Sequence, residues 1–157
     1  MIRTCQYDTG QESDFLTLYR ACLAHYAIPA ATPEQEARVT ELLASGRHMS
    51  CLMAYEGDTP VGFATWTLTF PAGAGLALYM KELFVDGSAR GAGAGRALLA
   101  GLVGIAQAEG CTRMDWQTDR SNALSQAFYT RINAPSFDKL TYRIGAAEFA
   151  GFRAALM

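Results

Sequence analysis

The sequence carries no surplus of charge of either sign: 13 lysines and arginines stand against 15 aspartates and glutamates, for a formal charge of −2 and a pI near 5.6. Neutralising many phosphates needs a basic surface, so nucleic acid is excluded as a partner. Histidine and cysteine are also sparse. Cys5, Cys22, Cys51 and Cys111 form no CxxC pair and stand at no metal-ligand spacing from His25 or His48. We therefore expect no metal site and read the cysteines as reduced, small hydrophobes. There is no run of about 18 apolar residues, and no basic stretch leads into an apolar segment at the start. The expectation is a cytoplasmic protein that neither enters nor crosses a membrane.

What is present suits a globular protein: 50% hydrophobic, 18% charged and 11% aromatic residues. The 157 residues fit one domain spanning 1–157, and a chain of that length buries roughly 70% of its unfolded surface.

Periodicity gives the order of elements. Ile2 to Tyr7 reads as a strand, and Gln11 to Tyr26 as an amphipathic helix, with Phe15, Leu18, Tyr19 and Cys22 near helical spacing. Thr32 reads as an N-cap, with Pro33 at the first helical position, Gln35 completing a capping box and Gly46 as the stop. Three strands follow, Cys51–Tyr55, Val61–Phe70 and Leu76–Val85. Gly57-Asp58 predicts a hairpin between the first two, and Pro71 to Gly75 a long loop before the third. Ala94 to Glu109 is a helix, Arg113 to Gln117 a strand and Asn122 to Ile132 a helix; Phe137 to Ile144 reads as one or two final strands, with a short helix from Ala146. The order β-α-α-β-β-β-α-β-α-β defines a mixed α/β fold, a largely antiparallel sheet flanked by helices.

The sharpest local signal is Arg90-Gly91-Ala92-Gly93-Ala94-Gly95-Arg96, between a strand and a helix. Glycine permits positive φ and close approach to the backbone. A helix that starts there turns its unbonded amides and the positive end of its dipole outward, which suits a phosphate. Arg90 and Arg96 add charge, and the small residues Ala97, Ala100, Gly101 and Gly104 would let the helix lie close to the sheet. A dinucleotide fingerprint fails on spacing, because Arg96 or Leu98 falls where its third small residue is required. Five residues also separate Val85 from Gly91, whereas that fingerprint follows its strand at once. A P-loop would need a GK[ST] ending, which is lacking.

Here the sequence resembles the GNAT superfamily of N-acetyltransferases. Arg90 to Gly95 matches that family's acetyl-CoA signature, an arginine or glutamine, two residues of any kind, glycine, any residue, then glycine or alanine. Asn122, Phe128 and Tyr129 match a second pattern, N-x-x-A-x-x-L/F-Y, with Ser125 where alanine is usual. The resemblance implies acetyl-CoA as acyl donor, held by Leu83, Phe84, Val85, by Arg90 through Ala97 (Gly91, Ala92, Gly93, Ala94, Gly95 and Arg96 between them), and by Asn122, Ser125, Phe128 and Tyr129. Within the superfamily the stretch Leu78 to Val85 looks like the diamine and Hpa-type branch, although Lys81 stands where an acid is common. A homodimer is also implied.

Acyl transfer to an amine needs a base or water chain to remove the ammonium proton, a donor for the oxyanion, and an acid for the leaving thiolate. By resemblance Tyr129 is that acid, and Glu82 is the candidate base, acting through water. On a helical projection Asn122, Ser125, Gln126 and Tyr129 form one stripe, while Ala123, Leu124, Ala127, Phe128 and Ile132 are expected to pack a core opposite. Glu12, Asp14, Glu34, Glu36 and Glu41 would draw a cation or form a solvated face, and Tyr26, His25 and Trp66 would line the acceptor side. The expected reaction is direct transfer to a primary amine of a small molecule. A protein lysine or N-terminus, and a silent CoA-binding module, stand as alternatives.

Overall fold

A computed structural model describes residues 1–73 and 75–157. Ala74, in the expected loop from Pro71 to Gly75, lies outside the described residues. The chain divides into two compact units, Met1–Gln117 and Thr118–Met157.

The first unit holds a five-stranded sheet in the order of the chain: β1 (Ile2–Gln6), β2 (Ser50–Glu56), β3 (Thr59–Thr69), β4 (Ala77–Val85) and β5 (Arg113–Asp115). Each neighbouring pair is antiparallel except β4 and β5, which are parallel. The β2–β3 hairpin closes at Glu56 opposite Thr59, around the expected glycine turn. Helices α1 (Glu12–His25), α2 (Pro33–Ser45) and α3 (Ala94–Ala108) accompany the sheet. The ends of α2 are those its sequence dictates: Thr32 accepts from the Gln35 amide, Gln35 returns to the Thr32 amide, and Gly46 stops the helix in the left-handed region.

Strand alternation sorts the core into two faces. Cys51, Met53, Tyr55, Phe63 and Phe84 pack with Phe15, Leu18 and Cys22 of α1 and Leu43 of α2. Phe15 sits 5.3 Å from Phe63 edge-on and 5.7 Å from Tyr19 in a stack; burying one such ring contributes about 1.5–3 kcal/mol. Helix α3 packs across β1 to β4 through its buried Ala94, Leu98, Leu99, Leu102 and Ala106. Of its small residues only Gly101 serves close approach, since a Cβ there would come within 2.6 Å of Leu52 Cδ2; Ala100 and Gly104 face outward, contrary to expectation.

Between β3 and β4 the register slips. Thr65 stands opposite Glu82 and Trp66 opposite Met80, which leaves Lys81 as an extra, bulged residue. The ladder from β4 to β5 covers only Ala77 to Tyr79, ending at Tyr79 opposite Asp115, while β4 runs on to Val85.

The second unit contains α4 (Ala123–Arg131) and α5 (Phe149–Ala155), the latter after a single 3-10 turn at Ala146–Glu148. The final strand expected over Phe137 to Ile144 is not formed, and Phe137, Leu140 and Tyr142 are largely exposed. Alternating apolar side chains make a strand only where a sheet edge takes up the backbone, and among the described residues this segment has no ladder partner. The short helix expected from Ala146 is present.

Candidate functional site

The five residues between β4 and the first turn glycine are a built connection. The Asp86 amide donates to the Val61 carbonyl at 2.9 Å, so the β3–β4 pairing continues one residue past β4. The Asp86 carboxylate then accepts from the Ser88 amide at 2.9 Å and from the Ser88 hydroxyl, capping a 3-10 turn at Gly87–Ala89. Those hydrogen bonds from Ser88, with a smaller contribution from the Arg90 charge, hold the Asp86 carboxyl below its ordinary range. Sequence reasoning missed Asp86; the Asp-Gly-Ser run was its available signal.

Beyond that turn Gly91 and Gly93 take φ of 87° and 93°. A side chain at either is strained in the left-handed region although none of the described residues comes within 4 Å of the missing Cβ. Gly93 is the N-cap of α3 and offers no side-chain cap, and the first intrahelical bond runs from the Ala97 amide to the Gly93 carbonyl at 3.0 Å. The amides of Ala94, Gly95 and Arg96 precede the first available helical acceptor. Open space over two glycines, an uncapped helix start and the exposed Arg90 and Arg96 make a cradle that fits a phosphate, such as the pyrophosphate of acetyl-CoA.

Strand β4 leads into this cradle. The Glu82 amide points to β3, donating to Thr65 Oγ1 at 3.2 Å, and so does the Asp86 amide. Backbone groups alternate along a strand, so the main chains of Leu83 and Val85 face the other edge, where the β5 ladder has ended. Phe84 differs from its neighbours: its amide faces β3 and its ring is buried in the α1 face, 5.9 Å from Phe63. Of the three residues named on β4, two therefore offer main-chain groups to an extended ligand. Arg90 Nε reaches back to the Val85 carbonyl at 3.4 Å.

The candidate base Glu82 is about half exposed and stands 3.7 Å from Lys81 Nζ. Exposed pairs of this kind contribute about 0–1 kcal/mol, so the contact is a weak tether. Arg113, the other potential partner, binds Asp115 at 2.7 Å instead. Glu82 lies toward α1. Burial first, and the Glu82 charge second, push the Cys22 thiol up to about 12; burial also leads in raising Tyr19, with Glu82 a minor cause.

The other acids of the first helices are mostly engaged. Glu36 binds Arg20 through two contacts of 2.6 and 2.7 Å, Glu41 binds Arg38 at 2.7 Å, and Asp14 accepts from Tyr55 Oη at 2.8 Å. Trp66 is buried, and its Nε1 has no hydrogen-bond partner among the described residues. His25 and Tyr26 lie at the end of α1, where His25 meets Arg90.

Asn122, Ser125, Phe128 and Tyr129 belong to the second unit. Asn122 is the N-cap of α4, its Oδ1 accepting from the Ser125 amide at 3.0 Å. Tyr129 is half-buried, with its ring 5.3 Å from Phe128. The expected core on the opposite face forms only in part: Leu124 is 71% exposed and Ala123 and Ala127 are exposed, while Phe128 and Ile132 are half-buried. The half-buried side joins these two to Asn122, Ser125 and Tyr129 of the polar stripe, whose fourth member, Gln126, is exposed. Among the described residues no three His, Cys, Asp or Glu side chains gather as a metal group, and no helix is long and apolar enough to cross a membrane.

A mixed sheet whose fourth strand outruns its parallel neighbour and delivers a glycine-capped helix start suits an extended, phosphate-bearing ligand. The chain belongs to the acetyltransferase (GNAT) family, whose model matches residues 14–133. It is thus, in general terms, an acyl-CoA-dependent N-acetyltransferase, acetyl-CoA being the donor of that family. No protein of curated function matches it in sequence. Among solved structures it is similar to an integron cassette protein from the mobile metagenome of V. cholerae, at 28% identity over 97% of each chain and a TM-score of 0.82. The same fold appears in AAC(6')-Iy in complex with the bisubstrate analog CoA-S-monomethyl-acetylneamine, at 15% identity, 92% of this chain, 98% of that chain and a TM-score of 0.81. It also appears in ribosomal-protein-alanine N-acetyltransferase from Brucella melitensis biovar Abortus 2308, at 20% identity, 92% and 99% coverage and a TM-score of 0.78.

Proposed function

We propose that this chain transfers the acetyl group of acetyl-CoA to a primary amine of a small molecule (an amine, polyamine or amino acid) by direct attack in a ternary complex. The observation that carries the donor half is the open cradle over Gly91 and Gly93, with φ of 87° and 93° and an uncapped helix start behind it. The amides of Gly91 and of Gly93 to Arg96, with the Arg90 and Arg96 side chains, would bind the pyrophosphate, while the Ala92 amide donates to the Ala89 carbonyl at 3.3 Å. The Leu83 and Val85 main chains would pair with the pantetheine arm as an added strand, and an amide on that edge is the natural oxyanion donor. The bound donor supplies an activated thioester; the protein orients it and moves protons.

Glu82, through water, takes the proton from the acceptor ammonium. Tyr129 Oη gives a proton to the departing thiolate. Asn122 holds the start of the helix that bears Tyr129. The likeness to AAC(6')-Iy, whose structure carries a CoA–acetylneamine analogue, is in keeping with a small-molecule acceptor, and the likeness to a ribosomal-protein-alanine N-acetyltransferase with the protein alternative. We further propose that the whole chain works as one catalytic domain, forms a homodimer and acts in the cytoplasm.

Titration calorimetry with acetyl-CoA, followed by a thiol-release assay over a panel of small amines, amino acids and lysine peptides, tests the proposal. Binding below millimolar concentration and CoA release with a small amine are expected. No binding at millimolar acetyl-CoA removes the donor assignment, and release with peptides alone reverses the acceptor.

A further inference from the structure

His25 closes α1 and meets the start of the glycine turn across 65 residues of sequence. Arg90 Nη2 lies 3.5 Å from His25 Nδ1 and 3.3 Å from His25 Nε2. With both ring nitrogens almost equally near, Nη2 lies over the imidazole ring rather than in line with a single lone pair, and the guanidinium packs on the ring.

The histidine is itself held from two sides. Its ring stands edge-on to Tyr26 at 4.9 Å and tilted against Phe84 at 6.2 Å. Phe84 is 4% exposed and packs on Phe63. Through the ring, the aromatic core of the α1 face reaches a surface arginine. At its other end Arg90 Nε donates to the Val85 carbonyl at 3.4 Å. Arg90 is exposed, yet its Nε is engaged by the Val85 carbonyl and its Nη2 lies on the His25 ring, and the rest of the fork remains for a ligand.

An exposed arginine otherwise samples many rotamers, and immobilising it on binding costs roughly two- to ten-fold in affinity. We infer that His25 is a positioning residue for the acyl donor: it pre-sets the Arg90 guanidinium beside the cradle and ties the C-terminal end of α1 to the donor site. This rests on the reading of Arg90–Gly95 as the donor's phosphate cradle. The contact orients one binding group, so its loss acts on donor affinity and on the KM for acetyl-CoA.

The test is acetyl-CoA titration calorimetry on the wild type, His25→Leu, His25→Phe, Arg90→Ala and the double variant, with thermal melts alongside. His25→Leu is expected to weaken binding roughly two- to ten-fold. His25→Phe, which keeps a ring for the guanidinium to lie on, restores most of it. In the Arg90→Ala background His25→Leu changes nothing further, because the pair acts as a unit. Equal or tighter binding by His25→Leu overturns the inference, the latter meaning that His25 competes with the ligand for Arg90. A loss of the same size in the Arg90→Ala background also overturns it, since a structural defect persists there. A wild type that binds no acetyl-CoA overturns the cradle reading itself, and is distinguishable from a wild type that binds while His25→Leu matches it.

Discussion

The Asp86 amide and the Val61 carbonyl, 2.9 Å apart, join the end of the β3–β4 pairing to the start of the turn that leads to the glycines. One residue thus closes a ladder with its main chain and caps a 3-10 turn with its side chain. Replacing Asp86 by Ala is expected to cost about 1 kcal/mol of stability, as loss of a cap does, and to weaken acetyl-CoA binding through a looser turn.

The same residue gives a pH signature. Its carboxyl is held below the ordinary value, chiefly by Ser88, so the stability it contributes is present above the unfolded pKa of about 3.9. It is lost as pH falls from there through the lower folded value. Melting curves of wild type and Asp86→Asn should differ by a constant amount from pH 7 to 5 and converge below about pH 4. A gap that persists unchanged to acid pH would show that the cap does not depend on the charge.

Three glycines of one segment should respond in opposite directions. Ala at Gly91 or Gly93 meets a positive φ, costing about 1–2 kcal/mol, and also puts a methyl group into the cradle. Gly104 lies inside α3, outward and with open space about it; Gly104→Ala should stabilise by about 0.5–1 kcal/mol without touching donor affinity. Thermal melts with acetyl-CoA titrations read both effects.

Tyr129→Phe removes the proposed acid and should lower kcat by about 10²-fold, with donor affinity retained. Glu82→Gln should lower kcat/KM at neutral pH and recover part of it at higher pH, where more acceptor amine is already free. Turnover of Tyr129→Phe equal to wild type across pH removes that role.

Phe15 is 1% exposed and touches the rings of Tyr7, Tyr19 and Phe63. Phe15→Ala should destabilise by about 3–5 kcal/mol, measured by urea unfolding.

The ends of α2 could be read in advance because Thr32, Pro33, Gln35 and Gly46 act within a few residues of one another. The glycine turn was legible for the same reason, and the family's patterns pointed to Asn122 and Tyr129. The bulge at Lys81 was not, since it belongs to the pairing of β3 with β4 and neither strand alone records it. The alternation of Leu140, Tyr142 and Ile144 shows which side chains are apolar and is silent on whether a sheet edge is there to receive them. The His25–Arg90 contact is likewise a product of tertiary packing. The half-buried side of α4 draws on both stripes, Phe128 and Ile132 from one and Asn122, Ser125 and Tyr129 from the other, because periodicity locates faces and burial decides between them.

The ladder that stops at Tyr79 opposite Asp115 leaves the rest of β4 without β5 beside it. Backbone groups on such an edge accept any extended chain, and a misfolded segment of another molecule is as good a strand as a pantetheine arm. If the arm takes that place, occupancy by the donor and resistance to aggregation rise together, by mass action as well as by shielding. Purification and storage with CoA should therefore lengthen the life of the protein in solution, most of all for variants that loosen β4.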